Sequence, residues 1–384
     1  MAQERGAGAQ GHAALRMARS RSVDPPAGRR RGTRAPREAR PRRAMTPEAL
    51  GALVRGICAA AGVDPAQTES LADNLVWNDL AGRRNHGVER LPILIERAAK
   101  GLIACPCPAQ VTRIAPAAAR IDGANGFGQH LGRLGMDEAI ALARGAGVGA
   151  VGVRDSNFYG TGAYFVNLAA EAGMIGLALS NAFPKVAAAG GHRPVLGTNP
   201  LAFGAPAPGG ALLVDMSTAA LAGSTLRAHV REGTPLPEGL AVDERGTPVT
   251  DPVAAAKATL LPAAGVKGFG LALLVEVLAG VLTGAGIGAG VGSLYRDFDR
   301  GGDSGHFFLA VDIGRWMDAD AFAARMEDLR AQLEASGPDG AVRLPGAARW
   351  QTMAASRRDG LALAPATEAG LRDLATRYGV AWPG

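Results

Sequence analysis

Residues 148–180 read VGAVGVRDSNFYGTGAYFVNLAAEAGMIGLALS. The stretch 148–153 reads as a strand, 155–162 as a polar loop, 163–172 as a helix and 174–180 as a second strand. Strand, loop, helix and strand in that order predict a crossover unit, which places the chain in the α/β class. Gly147, Gly149 and Gly152 match G-x-G-x-x-G by letter. A dinucleotide fingerprint requires a strand before it and a helix opening within it. Here the glycines flank or lie inside the strand, so a Rossmann site is rejected. The glycine-rich loop 123–132, GANGFGQHLG, has the better context but the wrong spacing. Any nicotinamide cofactor must therefore be held differently.

Working outward, Thr46, Pro47 and Glu48 form a helix opening: a hydroxyl N-cap, a first-turn proline and an acid near the positive dipole end. Helices are predicted over 48–61 and 64–80. Leu91, Leu94, Ile95 and Ala98 mark a third, closed by Gly101. Pro106 and Pro108 break the chain before short strands at 111–114 and 119–121. A helix over 133–144 follows the glycine loop. Downstream, a strand at 212–214 delivers Asp215, and 230–257 is polar and turn-rich. A strand covers 306–311, and helices cover 317–336 and 365–380. The apolar stretch 259–291 carries Lys267, Glu276 and Pro262, so it reads as a buried helix plus loop rather than a membrane span.

The 384 residues, 47% hydrophobic with 54 glycines, fit a compact α/β protein with many tight turns. The net charge of +6 is uneven. Residues 1–44 hold twelve arginines against Glu4, Asp24 and Glu38, a balance of +9, which leaves 6 − 9 = −3 for the rest. The basic character sits in an Arg-rich leader that reads as a disordered tail, with Met45 as a plausible natural start. The body therefore gives no sign of a nucleic-acid or membrane partner. Cys58, Cys105 and Cys107 read as reduced thiols of a cytoplasmic protein. The Cys105–Cys107 spacing suits neither an ordinary disulfide nor a zinc site, so no metal is expected.

Between the second and third helices lies a polar turn, Arg83-Arg84-Asn85-His86-Gly87. If a helix starts near Gly87 or Val88, its period turns His86 and Arg90 to one side. A titratable imidazole beside a fixed guanidinium suits proton transfer next to a bound carboxylate.

From about Met45 onward the chain resembles the malate/L-lactate dehydrogenase family. The matching pieces include DLAGRRNHGVERL (79–91), SNFYGTGAYF (156–165), VLGTNPLAFGAP (195–206), VDMST (214–218), KGFGLALLVEVLAGVLTG (267–284) and LPG (344–346). The resemblance implies a non-Rossmann malate/L-lactate (sulfolactate) dehydrogenase-like fold, with a mixed sheet, flanking helices and a helical N-terminal region. It implies an NAD(P)-dependent enzyme interconverting a small 2-hydroxy acid and a 2-oxo acid. The alternatives are a cyclic imino-acid reductase, or a catalytically impaired member that binds cofactor only. A homodimer is implied too.

The site residues carry over one by one. His86 is the implied proton donor, Asp215 its companion, and Arg90 a clamp for the substrate carboxylate. Asn85 and Phe158 stand at substrate positions. Asp215, Met216, Ser217, Lys267, Gly268 and Gly346 stand at cofactor positions, for NAD or NADP. Phe158 and Val266 stand where relatives usually carry histidine, and Thr225 where they carry lysine. His130 is the candidate replacement, while His192, His229 and His306 read as structural. The implied division is a leader, 1–44; an N-terminal helical part of the substrate and dimerisation domain, 45–118; a cofactor-binding α/β domain, 119–312; and a C-terminal helical part packing back on the first, 313–384.

Overall fold

The computed structural model describes residues 44–383 except Asp339, so the leader reading for 1–43 lies outside the described residues. Thr46 Oγ1 accepts from the Ala49 N–H, and α1 (Pro47–Ala60) starts where its capping residues place it. Asp64 caps α2 (Pro65–Leu80) in the same way, and α3 (Leu91–Ala99) follows the His86 turn. Their apolar faces meet through Leu53, Ile57, Leu71, Leu75, Leu91 and Leu94, all buried. Removing this much apolar surface from water is the main force holding the helices together.

The next elements are β1 (Gln110–Ala115), β2 (Ala118–Asp122), α4 (Gly128–Ala146), β3 (Val148–Ser156), α5 (Gly162–Glu171) and β4 (Met174–Ser180). Then come β5 (Val186–Ala187), β6 (Pro194–Leu196), β7 (Leu201–Ala205), β8 (Leu212–Met216), α6 (Gly223–Glu232), β9 (Ala241–Val242), α7 (Pro252–Ala255) and β10 (Thr259–Leu260). The chain ends with α8 (Val266–Val275), β11 (Ser304–Asp312), α9 (Ala319–Ala335), α10 (Ala347–Asp359) and α11 (Pro365–Arg377). The main sheet has the order β1-β2-β3-β11-β4-β7-β8. The expected crossover is present but split: β11 lies between β3 and β4, antiparallel to both, with Phe308 opposite Val151 and Ala178. Phe308, Phe165, Val151 and Val153 are buried in the core where α4 and α5 cover this sheet. A smaller sheet, β6-β5-β10-β9, packs around Val186, Leu196 and Leu260. Near the end of the chain, Met353 of α10 and Leu371 and Leu374 of α11 join the α1–α3 core.

The glycines of the rejected fingerprint have a packing role. Gly147, at φ 83°, caps the C-terminus of α4, a conformation that favours glycine. A Cβ on Gly149 would sit inside the Ala139 carbonyl, so α4 lies on β3 only because that side chain is missing. Three expectations need correction. Helix α4 starts at Gly128 rather than 133, because the Gln67 side chain accepts from the Phe127 N–H and anchors its first turn. The turn-rich stretch 230–257 holds β9 and α7, and α10 was not foreseen. The segment 259–291 is not fully buried. Ala272, Val275 and Ala279 face inward, but Leu274, Val277, Val281 and Leu282 are exposed. Among the described residues no helix is long and apolar enough to cross a membrane.

Candidate active site

His86 ends a short 3-10 turn, Arg84–His86, and a second turn, Val88–Arg90, leads into α3. The α-helix expected from Gly87 or Val88 thus begins only at Leu91. Asp79, on α2, fixes this turn: its Oδ2 accepts from the Val88 N–H at 2.7 Å. A Cβ on Gly87 would occupy the place of the Asp79 carboxylate, which accounts for glycine after His86. Burial pushes the Asp79 carboxyl up to about 7, against the opposing pull of the Val88 N–H.

His86, Asn85, Arg90 and Phe158 line one cavity of about 550 Å³. The His86 ring stacks on Phe158 at 5.8 Å between centroids, and its Nδ1 is buried without a hydrogen-bond partner. Burial, then the charges of Arg90, Arg83, Arg227 and Arg349, push the imidazole down to about 4. Arg90 is fixed from behind. Its Nε donates to the Asn85 carbonyl at 2.6 Å, one Nη donates to Glu89, and the guanidinium lies over the Tyr295 ring at 5.4 Å. Among the described residues, the cavity wall carries Arg90, Arg97, Lys185 and Arg227, and no aspartate or glutamate. Such a wall attracts anions.

Asp215 pairs with Arg349, and among the described residues no hydrogen bond or ion pair joins it to His86. Its Oδ2 is 3.5 Å from an Arg349 Nη, with side chains 12% and 6% exposed. Arg349 reaches in from α10 across the Trp77 ring, and it is the group whose charge touches both Asp215 and His86. The Tyr159 hydroxyl and the other Arg349 Nη are buried without partners. Burial, then the charge of Asp215, holds the Tyr159 phenol well above its usual range. Sequence reading missed Tyr159, Arg349 and Arg227. Tyr159 stands in the quoted 156–165 motif and Arg349 three residues after Gly346. Neither position carries a pattern that marks it.

The cofactor candidates are spread along β8, from Gly346 beside its start to Met216 and Ser217 at its end, and none of them lines this cavity. Met216 is 43% exposed, and Ser217 Oγ donates to the Thr198 carbonyl. Gly346, at φ 99°, opens α10 so close to β8 that a Cβ would lie 3.0 Å from the Leu213 nitrogen. Thr218 O accepts from Ala263 N, and Ala263 O accepts from Gly268 N, which ties Gly268 and the exposed Lys267 to the same strand end. Three buried polar atoms left unpaired, on His86, Tyr159 and Arg349, are what a missing polar ligand would leave behind. A nicotinamide and an acid fit that donor set.

The other histidines lie elsewhere. His130 bonds to Ser70 and is not among the residues that line the cavity. His306 is clamped between the Ser156 and Ser180 hydroxyls at 2.8 and 2.9 Å, and His229 meets Thr234. Among the described residues no group of three or more histidine, cysteine or acidic side chains is placed to hold a metal ion.

A family model described as malate/L-lactate dehydrogenase matches residues 45–372. The chain is 33% identical over 319 residues to the malate/(S)-sulfolactate dehydrogenase of Methanothermus fervidus, covering 83% of this chain and 93% of that protein. It is also 33% identical over 305 residues to the Δ1-pyrroline-2-carboxylate/Δ1-piperideine-2-carboxylate reductase of Pseudomonas aeruginosa, with 78% and 89% covered. The solved structure of sulfolactate dehydrogenase from Methanocaldococcus jannaschii superposes with a TM-score of 0.82 at 30% identity, covering 88% of this chain and 98% of that one.

Proposed function

Because this chain belongs to the malate/L-lactate dehydrogenase family, we propose that it interconverts a small 2-hydroxy acid and the matching 2-oxo acid with NAD or NADP. The carrying observation is an imidazole with an unpaired nitrogen in a cavity lined by cations and free of carboxylates. A nicotinamide held beside the cavity would supply or take the hydride at the substrate C2. His86 gives a proton to the oxygen left at C2 in reduction, and takes the hydroxyl proton in oxidation. Arg90 binds the C1 carboxylate, its fork aimed by Asn85 and Glu89. Asn85 and Phe158 form the near wall. Asp215, through Arg349, steadies the charge beside the imidazole. Asp215, Met216, Ser217, Lys267, Gly268 and Gly346 would hold the cofactor along β8. The test is nicotinamide absorbance across a panel of 2-oxo acids. Oxidation or reduction of none of them would end this reading.

A second reading, reduction of a cyclic 2-imino acid, draws on the apolar face that Phe158 presents beside His86 and on the reductase relative. Faster turnover of pyruvate than of piperideine-2-carboxylate would reject it.

The depressed His86 gives the reaction a pH signature. With the free form titrating at about 4, the base is ready for oxidation throughout the neutral range. The acid form needed for reduction grows scarcer with every rise in pH. Reductive kcat/KM is expected to fall about tenfold per pH unit between about pH 5 and pH 8, while oxidative kcat/KM stays flat. Profiles that both turn near 6.5, the ordinary histidine value, would contradict this environment.

We also propose a homodimer. Leu271, Leu274, Val277, Val281 and Leu282 are exposed along α8 and its continuation, an apolar stripe that a second copy would cover. Sedimentation is expected to give twice the chain mass of 39.1 kDa. Leu274→Glu with Val281→Glu is expected to shift it to the single mass. Native protein at the single mass rules out the dimer. The three unbridged thiols, each with its pKa raised mainly by burial, support a cytoplasmic setting. Disulfide-linked protein recovered from cells would argue otherwise.

A further inference from the structure

We propose that Arg97 is a positioning residue for the acid clamp: it fastens the loop 292–302 to α3 and so keeps Tyr295 over Arg90. The inference rests on Arg90 binding the substrate carboxylate, and it gives the loop and its anchor a share in affinity for the acid. Arg97 is 1% exposed and among the largest fully buried side chains. A guanidinium is costly to bury, and a place that needed only filling would hold an apolar side chain. Among the described residues Arg97 makes no ion pair, and its hydrogen bonds go to two backbone carbonyls. One Nη donates to Asp297 at 2.5 Å and the other to Arg300 at 3.0 Å, while Nε is buried without a partner. A planar fork serves two carbonyls at once, which a lysine does not.

Both carbonyls belong to a loop whose ends are drawn together. The Gly292 N–H donates to the Gly302 carbonyl at 2.7 Å, and a Cβ on Gly292 would lie 2.3 Å from the Gly301 carbonyl oxygen. Compact loops closed in this way are frequently functional. Inside the loop, Asp297 Oδ2 accepts from the Ser293 N–H and from Arg300. Gly292, Leu294, Tyr295 and Gly302 line the cavity. Tyr295 is 47% exposed, so the loop backbone sets its place more than core packing does. The Arg90 guanidinium lies over its ring at 5.4 Å. Arg90 and Arg97 are seven residues apart, about two helical turns, and so face one side of α3. One meets the ring of the loop and the other its backbone. With the two carbonyls released, Tyr295 loses its fixed place, and Arg90 keeps only the edge contacts to Asn85 and Glu89.

The test is a double-mutant cycle on the acid KM, with saturating cofactor and the best 2-oxo acid. Its members are the native protein, Arg97→Met, Tyr295→Leu and the double variant. Tyr295→Leu is expected to raise the acid KM about fivefold, the size of a cation–π contact at a partly exposed site, and to leave cofactor KM unchanged. Arg97→Met is expected to give a similar rise, and the double variant about fivefold again rather than the product of the two, about 25-fold. Arg97→Lys, which keeps the charge and reaches one carbonyl, is expected to fall between native and Arg97→Met. Effects that multiply would overturn the proposal, because Arg97 would then not act through Tyr295. So would Arg97→Met with a lowered denaturant midpoint and an unchanged acid KM, or with acid and cofactor KM raised together, since either makes Arg97 a residue of the fold alone. If Arg97→Met fails to fold, Arg97→Lys takes its place in the cycle under the same criterion. An unchanged acid KM in Tyr295→Leu, with a raised one in Arg90→Gln, would sink the proposal and leave the clamp standing. An unchanged acid KM in Arg90→Gln would remove the clamp and the proposal together.

Discussion

His86→Asn is expected to lower turnover about 10²- to 10⁴-fold, the range that a positioned general acid or base contributes, while cofactor affinity stays close to native. The expectation follows from where the ring sits. Its Nδ1 edge is buried and unpaired, one face lies on Phe158, and four arginine charges surround it. An asparagine fills much of the same volume and keeps polar atoms there, but it cannot carry a proton in either direction. Phe158, whose ring has no titratable atom, cannot replace it. The competing group is the Tyr159 hydroxyl, also buried and unpaired, on a residue that lines the same cavity. Measured kcat with the best 2-oxo acid decides the matter, with cofactor affinity followed by nicotinamide fluorescence. Retention of activity within about tenfold would move the proton to Tyr159, and Tyr159→Phe would then show the larger loss.

The second large effect concerns the Asp215–Arg349 pair. Both side chains are mostly buried, so removing one charge leaves the other without compensation in a poorly solvated place. Asp215→Asn alone, and Arg349→Met alone, are each expected to cost about 3 kcal/mol of unfolding free energy, the low end for a broken buried pair because the contact is long. The double variant is expected to regain most of that loss, since neither charge then remains. Turnover should not return with stability. If Asp215 serves only the fold, the double variant is both stable and active, and its place in the proton chemistry is withdrawn. Denaturant midpoints and kcat measured on the same four proteins separate the two outcomes.

Much of this arrangement could be read from the chain. The capping set Thr46-Pro47 placed α1, the strand and helix patterns around 148–180 gave the α/β class, and the misplaced glycines correctly excluded a Rossmann crevice. Other features left no local trace. Strands β5, β9 and β10 are two residues each, too short for an alternating pattern to form. Helix α10 shows no continuous apolar stripe, because it meets the core through Trp350 and Met353 while Arg349 points to Asp215. The exposed stripe on α8 reads as core in a sequence, since hydropathy does not distinguish an apolar face that is buried from one that is exposed. In the site, His86 and Arg90 were legible because they are four residues apart. Arg227 and Arg349 were not, because only folding brings α6 and α10 to the same histidine.

The placement of β11 bears on how the protein is made. Its residues, 304–312, emerge from the ribosome long after β3 and β4, yet they form the middle of the sheet. Until then the earlier strands stand as two separate half-sheets, each with an open hydrogen-bonding edge facing a gap. Nascent chains stalled before about residue 304 should therefore be prone to pair with one another. Synthesis speed across the last quarter of the message, and protection of those edges by a chaperone, would then set the yield of native enzyme.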